Sequence, residues 1–131
     1  MTNDELQIKS EEREQSENAV EVKSYEFGVK AVKFVRALRH ESREYEIASQ
    51  FLRSATSIGA NVSEAQYAQS KRDFASKMAI ARKEANEARY WLKLMAGAGI
   101  ISGEAASPFI GDASELVRIL TSIIKTTIEN L

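Results

Sequence analysis

A fold built from strands or many loops needs residues that reverse the chain, and this sequence has few of them. Its single proline is Pro108, and four of its six glycines lie between Gly97 and Gly111. The first hundred residues therefore run almost without the punctuation that ends helices or turns strands. No stretch shows the apolar–polar alternation of a half-buried strand. At 131 residues the chain has the length of one domain, and long helices with short polar connections are the natural solution.

Apolar residues recur at three- and four-residue steps in four segments. The first runs from Ser24, read as an N-cap, to about His40, with Phe27, Ala31, Phe34, Val35 and Leu38 on one stripe. After a connection at 41–43, the second runs from about Glu44 to Ala68 and presents Ala48, Phe51, Ala55, Ile58, Val62 and Ala65. Ser70 caps the third, with Asp73 three residues on, and Phe74, Met78, Ala81, Ala85, Ala88, Leu92 and Met95 form its stripe as far as about Ala96. Gly97 and Gly99 end it. For the fourth, Ser107 as cap with Pro108 in the first turn avoids a proline inside the helix. This predicts a loose turn over 102–106 and then a helix to about Glu129, burying Ala113, Leu116, Val117, Leu120, Ile123, Ile124 and Thr127. The pattern is that of an all-α, antiparallel up-down-up-down four-helix bundle.

Charge divides the chain. Residues 1–23 hold seven acidic and three basic residues, whereas 24–131 hold 15 basic and 12 acidic ones. The first segment has no aromatic residue and few apolar ones, too little to offset the entropy of ordering it. It reads as an acidic flexible tail preceding a bundle over 24–131.

Several kinds of chemistry lack their residues. Without cysteine there is no disulfide, thiolate metal site or thiol nucleophile. The only histidine, His40, stands at an expected helix end, away from the inward Glu-x-x-His pairs of a di-iron bundle. Gly97, Gly99 and Gly103 do not match a phosphate-cradling loop. The N-terminus shows no leader-like apolar run, and nowhere do about 18 apolar residues follow one another as a membrane span requires. A cytoplasmic protein with no cofactor, no bound metal, no membrane partner and no catalytic site is the expectation.

Two helices carry more than a core stripe. Arg53, Ser57, Asn61, Glu64 and Ala68 share a face of the second helix, with Ala60 beside them. Ile80, Glu84, Glu87, Trp91 and Leu94 make a second stripe on the third. Small and hydrogen-bonding residues on one side, and tryptophan with aliphatics on the other, suit helices that pack twice. Either these residues flank a wide core, or Arg53, Ser57, Asn61, Glu64, Glu84, Glu87 and Trp91 hold a subunit contact.

At these same residues the sequence resembles the four-helix-bundle proteins encoded within intervening sequences of bacterial 23S ribosomal RNA genes, relatives of the accessory variability determinant of diversity-generating retroelements. The resemblance is carried by Leu52–Ala65, by Asp73-Phe74 with Ile80–Leu92, and by Glu115–Thr126. It implies a ring-shaped homo-oligomer, commonly a pentamer, and a nucleic-acid or ribonucleoprotein role; for the retroelement relative the partners are a reverse transcriptase and RNA. The acidic start and the glycine-rich, proline-containing approach to the fourth helix depart from the family pattern.

Basic residues recur on the first helix at Lys30, Lys33, Arg36, Arg39 and Arg43, and along the third. They offer a nucleic-acid face that a ring would multiply, or they are a solvated surface with ion pairs. Three functions follow: a non-enzymatic scaffold that binds RNA or a nucleic-acid-processing protein, which leads; a protein-interaction scaffold without nucleic-acid affinity; and a magnesium-dependent all-helical nucleotide pyrophosphatase using Glu64, Glu84 and Glu87.

Overall fold

A computed structural model describes residues 1–131 as four helices and no strand. They are α1 (Asn3–Ser42), α2 (Glu46–Ala65), α3 (Lys71–Gly97) and α4 (Gly103–Glu129). Each packs against two others in the cycle α1–α2–α3–α4, and α1 touches α4 least. The pairings are specific. Arg39 meets Ser49 and the Ser24 backbone backs onto Gly59; Arg53 meets Glu87 and Glu64 meets Lys77; Arg89 meets Ser114 and Lys71 meets Asn130; Lys23 meets Glu115 and Lys30 meets Asp112. No helix is long and apolar enough to cross a membrane.

One buried cluster joins all four helices, and its two sides are built differently. Phe27, Phe34, Phe51 and Phe109, from α1, α2 and α4, meet edge to face, with Phe27 and Phe109 centroids 5.1 Å apart and Phe51 and Phe109 centroids 5.5 Å apart. Edge-to-face contacts of this kind add about 0.5–1.5 kcal/mol beyond burial. The buried face of α3 mixes the small Ala81, Ala85 and Ala88 with the large Met78, Leu92 and Met95, all fully buried. Small against large is how facing layers fill space without voids.

Two helix starts differ substantially from the sequence expectation, and each difference has a local cause. Ser24 is not a cap: it lies inside α1, 1% exposed, with its hydroxyl donating to the Glu21 carbonyl. The helix instead begins with a reciprocal cap in which Glu5 N–H donates to the Thr2 hydroxyl and the Glu5 carboxylate accepts from Thr2 N–H. Residues 3–23, expected as a flexible tail, are therefore part of α1. Val20 is fully buried in the core, so the bundle reaches back past residue 24. The fourth helix starts at Gly103 rather than after Ser107, because Ser102 accepts from Ala105 N–H at 3.1 Å. Pro108 consequently sits inside α4 on an exposed turn, where the carbonyl it leaves unpaired can face water. Ser70 caps α3 as expected, accepting from Asp73 N–H at 3.0 Å. The second helix is shorter than read, starting at Glu46 and ending at Ala65. Arg43 closes α1 in the left-handed region, with φ 56°.

Two glycines within helices separate backbone freedom from close approach. A Cβ on Gly59 would lie 3.2 Å from the Ser24 carbonyl oxygen, whereas one on Gly28 would meet nothing. Gly28→Ala should raise stability by about 0.5–1 kcal/mol through helix propensity. Gly59→Ala should gain less, and Gly59→Leu should destabilise by pushing α1 from α2. Urea unfolding midpoints of the three variants check this ordering.

Candidate functional site

The α2–α3 seam gathers most of the residues singled out for a subunit contact. Its polar edge is stitched along α2, where Ser57 donates to the Arg53 carbonyl at 2.6 Å and Asn61 donates to the Ser57 carbonyl at 2.8 Å. Across the seam Arg53 and Glu87 stand 4.0 Å apart, and Glu64 faces Lys77 at 3.5 Å. Lys77 in turn faces Asp73 at 3.7 Å. At 100° per residue, Glu84 and Trp91 fall between Lys77 and Glu87 on α3, so they occupy the flank turned toward α2.

That placement changes the meaning of the second stripe on α3. Trp91 packs partly buried against the core of its own chain. Ile80, Leu94 and the neighbouring Tyr90 remain in water, at 44%, 37% and 56% exposure. The Tyr90 and Trp91 rings touch edge to face at 5.3 Å. Part of the stripe is thus spent within the subunit, and an apolar rim is left beside it.

Two polar atoms in the seam are enclosed without partners, the indole N–H of Trp91 and one carboxylate oxygen of Glu84. Burial raises the Glu84 pKa above its ordinary 4.5, and the adjacent Glu87 carboxylate raises it further, while Arg53 and Lys83 oppose the shift. Glu64, Glu84 and Glu87 do not come together as a metal-holding group; no cluster of three His, Cys, Asp or Glu suited to a metal ion is present. Glu64 is drawn away toward Lys77. The geometry that the pyrophosphatase reading needs is not there.

The five cations singled out on and just after α1 are not one surface. Lys30 turns to α4, pairing with Asp112 at 2.6 Å and lying 4.9 Å over the Phe109 ring. Arg39 turns to α2 and donates to the Ser49 hydroxyl at 2.7 Å, with its Nε enclosed. Lys33, Arg36 and Arg43 are exposed and form no ion pair within the chain. His40, considered in the sequence only as a ligand, joins their exposed face; helical spacing from Arg36 was signal enough to place it there. A cleft of about 810 Å³ lies elsewhere, between the N-terminal turns of α1, the α2–α3 turn and the end of α4, and none of these candidate residues lines it.

The Glu84 shift carries a sign. A raised pKa means the folded chain holds a proton that the unfolded chain releases, so stability falls as pH climbs from about 4.5 through the folded value. Glu84→Gln should therefore gain stability over the parent at about pH 7 and lose that advantage at about pH 4. Denaturation midpoints at both values test this; a constant difference would show that the buried carboxylate carries no penalty.

Comparison with known proteins agrees with the helical pattern. The sequence profile of the 23S rRNA-intervening sequence protein family matches residues 16–122. A crystal structure of a protein of unknown function from the S23 ribosomal protein family of Bacteroides thetaiotaomicron VPI-5482 is 44% identical and superposes with a TM-score of 0.82; the match covers 84% of this chain and 98% of that one. No curated protein matches. With most of its length matched by the family profile, and a solved family member sharing its fold, the chain belongs to the family of 23S rRNA-intervening sequence proteins.

Proposed function

We propose that this chain is a non-enzymatic cytoplasmic scaffold that assembles into a cyclic homo-oligomer and binds RNA. The subunit is read as an antiparallel up-down-up-down bundle. Supporting that reading, every contacting helix pair matches rising residue numbers with falling ones, as in Arg39 with Ser49 and Ser24 with Gly59, or Lys71 with Asn130 and Arg89 with Ser114. Short connections over 43–45, 66–70 and 98–102 also suit neighbours that reverse direction.

The observation that carries the RNA reading is the set of free cations on the outer face of α1. Lys33, Arg36 and Arg43 have no acidic partner in the subunit and so stand ready for phosphate. A ring, by repeating three cations per subunit, raises avidity for a polyanion without any new contact. For assembly, the exposed apolar rim of Ile80, Tyr90 and Leu94 favours the α2–α3 seam. Arg53, Ser57, Asn61, Glu64, Glu84, Glu87 and Trp91 are assigned to that contact, with a pentamer as the expected ring.

Filter binding to structured RNA across a salt series tests the first half. Affinity should be measurable at low salt and fall as salt rises, and Arg36→Ala should flatten the log–log slope by about one. Absence of binding at low salt would leave a protein-interaction scaffold instead. For the second half, Asn61→Leu should lower the mass seen by light scattering while helical circular dichroism is kept. Trp91→Ala should do the same with some loss of stability, since the ring also packs inward. Unchanged assembly in both variants would remove the seam from the interface.

A further inference from the structure

The outward face of α1 changes sign along its length. Taking 100° per residue, the side opposite buried Val20, Phe27, Ala31 and Leu38 reads Asp4, Gln7, Glu11, Glu14 and Asn18, then Val22, Tyr25 and Val29, then Lys33, Arg36, His40 and Arg43. All but the half-buried Val29 are exposed, Tyr25 at 72% and Val22 at 55%. None of the acidic or basic members forms an ion pair within the chain; Glu11 only accepts from Gln7 at 3.0 Å. The two cations of the acidic half, Lys9 and Arg13, lie on its other side, lining the cleft at the bundle end. One helix thus presents a negative third, an apolar third and a positive third in a single line.

A strip of that kind is complementary to itself when reversed. We propose that the outer face of α1 is a docking surface for α1 of a second copy, packed antiparallel about a two-fold axis passing between Lys23 and Ser24. This axis sets Asp4 opposite Arg43, Glu11 opposite Arg36 and Glu14 opposite Lys33, each pair occurring twice, with Val22 against Tyr25 at the centre. The register follows from the strip: its members pair about the axis on one face, with Gln7 opposite His40 and Asn18 opposite Val29 between the charge pairs. A two-fold contact of this type is self-complementary, as isologous interfaces require. Its area is confined to one helix per copy and its pairs are open to water, so it is a weak, salt-sensitive contact. It uses neither α2 nor α3 and is separate from the seam. It also places the acidic half of one copy over the cations of the other, so RNA and a second α1 compete for Lys33, Arg36 and Arg43.

The cysteine-free chain allows a direct test. Asn18 and Val29 face each other in the proposed register but sit far from their own counterparts. Asn18→Cys and Val29→Cys chains, mixed at low salt and oxidised, should form the mixed disulfide in large excess over either self-linked product. Arg36→Glu on the Asn18→Cys chain should cut the mixed product by about tenfold, and Glu11→Arg on the Val29→Cys chain should restore it. The result should be the same on an Asn61→Leu background, which separates this contact from the seam. Mixed linking no greater than self-linking, or linking indifferent to the charge reversal, would overturn the proposal.

Discussion

Four phenylalanine rings set the position of α1, the longest and least embraced helix. Phe27 and Phe34 from α1 are held between Phe51 of α2 and Phe109 of α4, and this cluster is the main apolar bond across the sparse α1–α4 side. Lys30 adds to it by lying over Phe109 while pairing with Asp112. The angular position of α1 decides which residues face water, and so both the free cations and the self-complementary strip depend on those rings. A large-to-small change at Phe109 would loosen the outer surface as well as the core.

The core was legible because its signal is periodic. Ala81, Ala85, Ala88, Leu92 and Met95 recur at helical steps, and all are buried. Helix ends were less legible because caps depend on a few side chains with near-equal alternatives. Ser102 and Ser107 are both capable caps, and avoiding a proline inside the helix favoured the second; Pro108 is tolerated because its turn is exposed. The helical form of residues 3–23 was hidden for a different reason. Composition reports how little that segment can bury, but it does not register the capping box at Thr2 and Glu5, or the fact that the segment extends a helix already nucleated by the core.

The candidate surfaces show the same division. That α2 and α3 each bear a second face could be read from spacing, but not that Trp91 would pack partly into the core of its own subunit. Equal spacing of Lys30 and Arg39 with the other cations gave no hint that their neighbours on α4 and α2 would claim them. Long side chains near a helix flank are settled by what the adjoining helix offers, which is a tertiary fact. The family match begins at residue 16, so the acidic outer third of α1 lies almost wholly before the matched residues.

The alanine floor of α3 has a further consequence. An alanine side chain has no rotamers to freeze on folding and none to explore afterwards. At Ala81, Ala85 and Ala88 the core therefore has nothing of its own to adjust, and any give there falls to the interleaved Met78, Leu92 and Met95. Sequence drift in this protein should accumulate at those larger positions, and an added side-chain carbon at one of the three alanines should be felt as displacement of the helix packed on it.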